Sequence, residues 1–159
     1  MERPFKKEPS SQEKGSSFFN KCLDQALVYL SMRDHNRREL ETKLRTKEYD
    51  KETIKKVLDS LEEDGSLSEE RYVRSFVNSS NRRHPEGKTV LSKRLVAKGA
   101  DREVARDVLN GIYTPEYTGD LVRRARSEIE RKGKATSDEQ VRFLLMKAGF
   151  SSSDIRLAD

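Results

Sequence analysis

A chain of 159 residues with 38% charged side chains, 33% apolar ones and no tryptophan has too little apolar material for one large close-packed core, which excludes a single big globule. Its net charge of +5 is modest, and regular apolar periodicity argues against wholesale disorder. One cysteine, Cys22, excludes an intrachain disulfide, and the chain has neither a membrane-spanning apolar run nor an apolar centre in its opening MERPFKKEPSSQEKG, so a cytoplasmic protein is expected.

Residues 1–17 are rich in Lys, Glu, Ser, Pro and Gly and are expected to form a disordered tail. From Phe18 the chain settles into Leu23, Ala26, Leu27 and Leu30, the i, i+3, i+4, i+7 spacing of one helical stripe, ending near Asp34. Asn36 stands three residues before Glu39 and predicts a helix start, with Leu40 and Leu44 following to about Lys47. Asp50 is the expected cap of a third helix whose stripe is Ile54, Val57, Leu58 and Leu61, and Gly65 its stop.

The same plan then recurs. Leu40, Leu44, Tyr49, Ile54 and Val57 map at an offset of 51 onto Leu91, Leu95, Ala100, Ala105 and Val108, and a further 50 residues on onto Val141, Leu145, Phe150, Ile155 and Ala158. Asp50 falls on Asp101, and Gly99 and Gly149 stand where the first copy has Glu48. Such a period marks a repeat array. The predicted fold is all-α: three tandem three-helix repeats in an elongated array open to curvature. The expected boundaries are repeat 1 over 18–66, repeat 2 over 67–113, a linker over 114–119 and repeat 3 over 120–159.

Charge is segregated along this array. Between Arg71 and Lys98 eight basic residues face Glu86 alone, a balance of +7, whereas acidic residues gather between Asp50 and Glu70. A positive block in a near-neutral chain points to a surface that meets anions. Arg71, Arg74 and Arg82 fall on the helix face opposite Tyr72, Val73, Phe76 and Val77, so those aromatics are read as core. Lys93 lies opposite Leu91 and Leu95, and the third repeat carries Arg123, Arg124, Arg126, Arg131, Lys132 and Lys134 around its own stripe. The bland alternative is a helical scaffold whose charges only solvate it.

No catalytic chemistry is legible. Gly87-Lys88-Thr89 matches the second half of a phosphate-loop motif, but Arg82 occupies the place of the first glycine and no strand precedes it. His35, expected at a turn, and His84, expected in an exposed loop, do not make a metal site with one cysteine. No cofactor, metal or catalytic residue is expected.

Arg33-Asp34-His35-Asn36-Arg37-Arg38-Glu39-Leu40 with Lys43-Leu44 resembles the first-repeat signature of the RecX family of bacterial recombination regulators. Ser68-Glu69-Glu70-Arg71-Tyr72-Val73 with Phe76-Val77 is similar to its central motif, which Gly87, Leu91, Leu95 and Lys98-Gly99 continue. Arg94 departs from the pattern, standing where the family often has Glu. The resemblance runs from about Ala26 to the C-terminus. It implies a non-enzymatic, monomeric protein that binds the RecA filament on single-stranded DNA and inhibits its ATP hydrolysis, strand exchange and co-protease function, modulating recombination, DNA repair and the SOS response. The expected contact residues are Arg71, Arg74, Arg82, Arg83, Lys88, Lys93 and Arg94, with Arg123, Arg124 and Arg126 adding to them and direct DNA binding weak. The alternative is a helical protein that binds nucleic acid directly, without RecA.

Overall fold

The computed structural model describes residues 11–158, and side chains from Lys14 onward. The described residues form nine α-helices and no strand. They fall into two compact units, one ending at Ser68 and one beginning at Glu69. Among the described residues no helix is long and apolar enough to cross a membrane.

The first unit holds α1 (Ser11–Met32), α2 (Arg37–Thr46) and α3 (Lys51–Glu63). Residues 1–10 of the expected tail lie outside the described residues, but residues 11–17 are helical and open α1, so the tail expectation is corrected there. Polar Ser, Gln, Glu and Lys do not bar helix formation where a long amphipathic stripe follows to propagate it. Asn36 and Asp50 cap α2 and α3 as expected, their side chains accepting the N–H groups of Glu39 at 2.8 Å and Thr53 at 2.9 Å.

The apolar stripes meet in one core in which Cys22, Ala26, Leu40, Leu44, Val57 and Leu61 are buried. Burial, with the nearby Asp50 charge, pushes the Cys22 thiol up to about 11, so it behaves as a small hydrophobe. Arg37 ties α2 to α3 by bridging Asp59 at 2.7 Å and Glu62 at 2.6 Å.

His35 does sit in the turn between α1 and α2, yet it is only 2% exposed. Its Nδ1 lies 2.9 Å from the Arg33 carbonyl oxygen, which requires Nδ1 to carry the proton. Nε2 is buried without a hydrogen-bond partner.

The second unit holds α4 (Glu69–Arg83), α5 (Lys88–Ala97), α6 (Arg102–Ile112), α7 (Pro115–Arg131), α8 (Asp138–Lys147) and α9 (Ser152–Arg156). Two cores fill it. Tyr72, Val73, Val77, Leu91, Leu95 and Leu109 lie in the first, and Leu121, Val122, Val141, Leu145, Phe150 and Ile155 in the second. The repeat-equivalent caps return here: Asp101 accepts from Glu103 and Val104 N–H, and Ser151 forms a reciprocal capping box with Asp154.

The chain between α6 and α7 is shorter than the expected linker. Thr114 caps α7 and Pro115 occupies its first turn, so residues 115–119 are helix, with Thr118 and Gly119 buried. Proline here starts a helix, because its missing N–H falls where no intrahelical partner exists. Tyr113 packs against both cores, and repeats 2 and 3 share one compact unit.

Candidate nucleic-acid interface

The second unit builds its basic surface around a buried amide. Asn81, in the last turn of α4, is 3% exposed. Its Nδ2 donates to the Tyr113 and Tyr117 hydroxyls at 3.0 and 3.1 Å, and its Oδ1 accepts the Glu86 N–H at 2.9 Å. The Tyr113 hydroxyl donates in turn to the Glu86 carbonyl at 2.7 Å. Burial raises the Tyr113 phenol well above its ordinary value, partly offset by the Asn81 hydrogen bond, so it stays protonated as that donor. The network pins the loop carrying His84 and Pro85 to the start of α7.

Against that pinned loop, α7 presents Arg124, Ser127, Glu128 and Arg131, spaced i, i+3, i+4, i+7 and therefore on one helical face. Arg83, Arg123, Arg124 and Arg131 line one open cleft of about 480 Å³, with Pro85, Ser127 and Glu128. Arg124 is aimed by donating to the Asn81 carbonyl oxygen at 3.0 Å, and Arg83 reaches Ser79 Oγ at 3.3 Å. Arg123 pairs with Asp120, whereas Arg83, Arg124 and Arg131 have no carboxylate partner among the described residues. The one carboxylate of the cleft, Glu128, is engaged by Lys132 and by His84 Nδ1 at 3.2 Å. Lys132 chiefly holds its carboxyl below the usual range, so it stays charged and paired with that lysine.

The other expected contacts do not join this cleft. Arg71 and Arg74 stand toward the opposite end of α4, roughly 18 and roughly 14 Å along its axis from Arg83 at 1.5 Å per residue. Arg74 pairs with Glu70 at 2.9 Å. Lys88 donates to Asn110 Oδ1 at 3.1 Å, Arg82 and Lys93 are exposed, and Arg126 is half-buried on another face of α7. Arg94 pairs with Glu86 and lies over the Phe76 ring at 5.2 Å, so the carboxylate that stood alone in the basic block is matched by a neighbour. Arg131 was missing from the expected contact set, although its spacing from Arg124 on one helix face is the signal that places it there.

A second cavity of about 270 Å³ adjoins the cleft, sharing Pro85 and Glu128 with it. Ala125, Ile129, Leu144 and Ala148 give it an apolar lining, with His84, Lys132 and Lys134 as its polar side. The phosphate-loop motif makes no loop of that kind. Gly87 caps α5, and its N–H donates to the Ala148 carbonyl at 2.8 Å. No group of three or more His, Cys, Asp or Glu suited to a metal exists among the described residues.

The family model described as RecX, first three-helix domain, matches residues 22–61. A protein named Regulatory protein RecX from Chlorobaculum tepidum is 35% identical over 138 residues, covering 85% of this chain and 84% of the relative. Its namesake from Leptothrix cholodnii is 37% identical over 137 residues, 82% of each chain. The crystal structure of RecX from Lactobacillus salivarius shares the fold, with a TM-score of 0.77 and 23% identity over 90% of this chain and 95% of that one. Matching relatives along most of their length as well as its own, the chain belongs to the RecX family of regulatory proteins.

Proposed function

We propose that this protein is a non-enzymatic regulator that binds the RecA filament on single-stranded DNA and damps its ATP hydrolysis, strand exchange and co-protease function, thereby modulating recombination, DNA repair and the SOS response. The observation that carries the reading, beside membership of the family, is the convergence of Arg83, Arg123, Arg124 and Arg131 on one open cleft. Three of these guanidinium groups lack a carboxylate partner, and planar guanidinium forks match phosphate oxygens. Such contacts position a protein on a nucleic-acid backbone without reading its sequence, which suits a partner whose DNA varies. Arg71, Arg74, Arg82, Lys88, Lys93, Arg94 and Arg126 lie outside the cleft and add a longer-range, salt-screened attraction for anions.

The deciding measurement is single-stranded-DNA-dependent ATP hydrolysis by the cognate recombinase, with and without this protein. Inhibition well below the recombinase concentration supports the reading. Undiminished hydrolysis beside tight DNA binding overturns it in favour of a direct nucleic-acid binder.

A further inference from the structure

The apolar cavity next to the arginine cleft has no counterpart in a surface that only neutralises phosphates. Four uncharged side chains, Ala125, Ile129, Leu144 and Ala148, form one wall with Pro85, and the exposed His84 ring, Glu128, Lys132 and Lys134 form its polar rim. Across Pro85 and Glu128 lie the guanidinium groups of Arg83, Arg124 and Arg131, which no carboxylate among the described residues neutralises. A nucleotide has this same division: an anionic phosphodiester joined to a flat base with stacking faces and a polar edge. In a duplex the bases are stacked and paired, and only an unpaired strand has one free to leave the backbone track.

We propose that the second unit carries a single-stranded nucleic-acid subsite, in which Arg83, Arg124 and Arg131 hold a backbone phosphate while the adjoining unpaired base enters the slot between Pro85, Ile129 and Leu144. The His84 ring supplies a stacking surface at the slot. Glu128 sits at the junction of the two cavities, and its engagement by Lys132 and His84 keeps its charge from repelling the phosphate. At about 270 Å³ the slot suits a single base rather than a larger ligand. This inference rests on the reading of the basic face as a nucleic-acid contact and does not require the recombinase.

The test is a fluorescence-anisotropy titration of the full chain, without recombinase, against labelled oligo(dT), an abasic oligomer with the same number of phosphates, and a duplex, all in one buffer. Oligo(dT) is expected to bind about tenfold more tightly than the abasic oligomer, the scale of one stacked base. Leu144→Trp, which fills the slot, is expected to remove that advantage and leave abasic binding unchanged, whereas Arg83→Glu with Arg131→Glu weakens all three ligands. If circular dichroism shows that Leu144→Trp does not fold, His84→Ala decides, because its exposed ring can be removed without disturbing a core. Equal affinity for oligo(dT) and the abasic oligomer, or an advantage that survives the slot variant, overturns the subsite. Neither result bears on inhibition of the recombinase, which the ATP hydrolysis assay reads separately.

Discussion

The backbone N–H of Gly87 donates to the Ala148 carbonyl at 2.8 Å, and a Cβ on Gly87 would stand 2.0 Å from the Gly149 carbonyl oxygen. The start of α5 is thus seated against the end of α8, backbone to backbone, within the second unit. Gly149 shares the constraint from the other side: its φ is +96°, and a Cβ there would meet Val90 at 2.7 Å. Gly87→Ala is therefore expected to destabilise the unit by about 3 kcal/mol, since backbone cannot swing aside as a side chain does. Gly111→Ala, in α6 with nothing within 4 Å, is expected to leave stability unchanged or raise it by up to about 1 kcal/mol. Thermal unfolding by circular dichroism checks both.

Glu48 offers the opposite case. It terminates α2 at φ +64°, the position held by Gly99 and Gly149 in the other repeats, and its side chain is exposed. Left-handed backbone costs an L-residue about 1–2 kcal/mol, which glycine does not incur. Glu48→Gly is expected to stabilise the first unit by about 1 kcal/mol, read as a higher denaturant midpoint with an unchanged slope.

His35 makes the first unit acid-sensitive near neutrality. Burial chiefly lowers its pKa below the ordinary 6.5, with the Arg33 and Lys43 charges opposing protonation and the Arg33 carbonyl and Glu39 favouring it. The unfolded chain then takes up the proton at a higher pH than the folded one. The resulting stability is present in full above about 6.5 and lost as pH falls toward the lowered folded value. Protonation would also place an N–H in a buried site without an acceptor. Unfolding midpoints measured between pH 8 and pH 5 are expected to fall with acidity, and His35→Gln is expected to flatten that fall. Burial raises the Glu39 carboxyl but its Arg33 ion pair outweighs this, and Lys55 and Arg37 hold Asp59 low, so these groups lose their contribution only at lower pH, apart from the His35 window.

Asn81 acts on the cleft through Arg124 and the pinned loop. Asn81→Ala leaves the Glu86 N–H without its acceptor and removes the amide donor from two tyrosines, at an expected cost of about 1–3 kcal/mol. Because the loop also carries the residues flanking Arg83, single-stranded-DNA affinity is expected to fall further than the change in folded fraction explains. Titration at a temperature where the variant is fully folded makes the distinction.

Charge reversal at Arg83 and Arg131 is expected to reduce the salt dependence of DNA binding as well as its strength. Each lost phosphate contact on a single strand lowers the slope of log affinity against log salt by about 0.7. Reversal at Arg71 and Arg74, at the far end of α4, is expected to change the slope less. Titrations at three salt concentrations compare the two pairs.

The sequence by itself determined whatever depends on neighbours a few residues apart. The stripes Leu40/Leu44, Leu91/Leu95 and Val141/Leu145 are buried, and Asn36, Asp50 and Asp101 cap helices, because helical period and capping hydrogen bonds span only three or four residues. The repeat was legible for the same reason, as one local pattern written three times. Only the tertiary structure decided what depends on how α4, α5, α7 and α8 dock. Asn81 reads as an ordinary polar residue near a helix end, and only the approach of Tyr113 and Tyr117 makes it a buried hub. Arg83 belongs with Arg124 and Arg131 rather than with Arg71, although Arg71 shares its helix, because the cleft forms where α7 meets the end of α4. Gly87 resembles a motif glycine until Gly149 is seen against it. Interhelical packing joins residues far apart in the chain at an angle that no local period encodes.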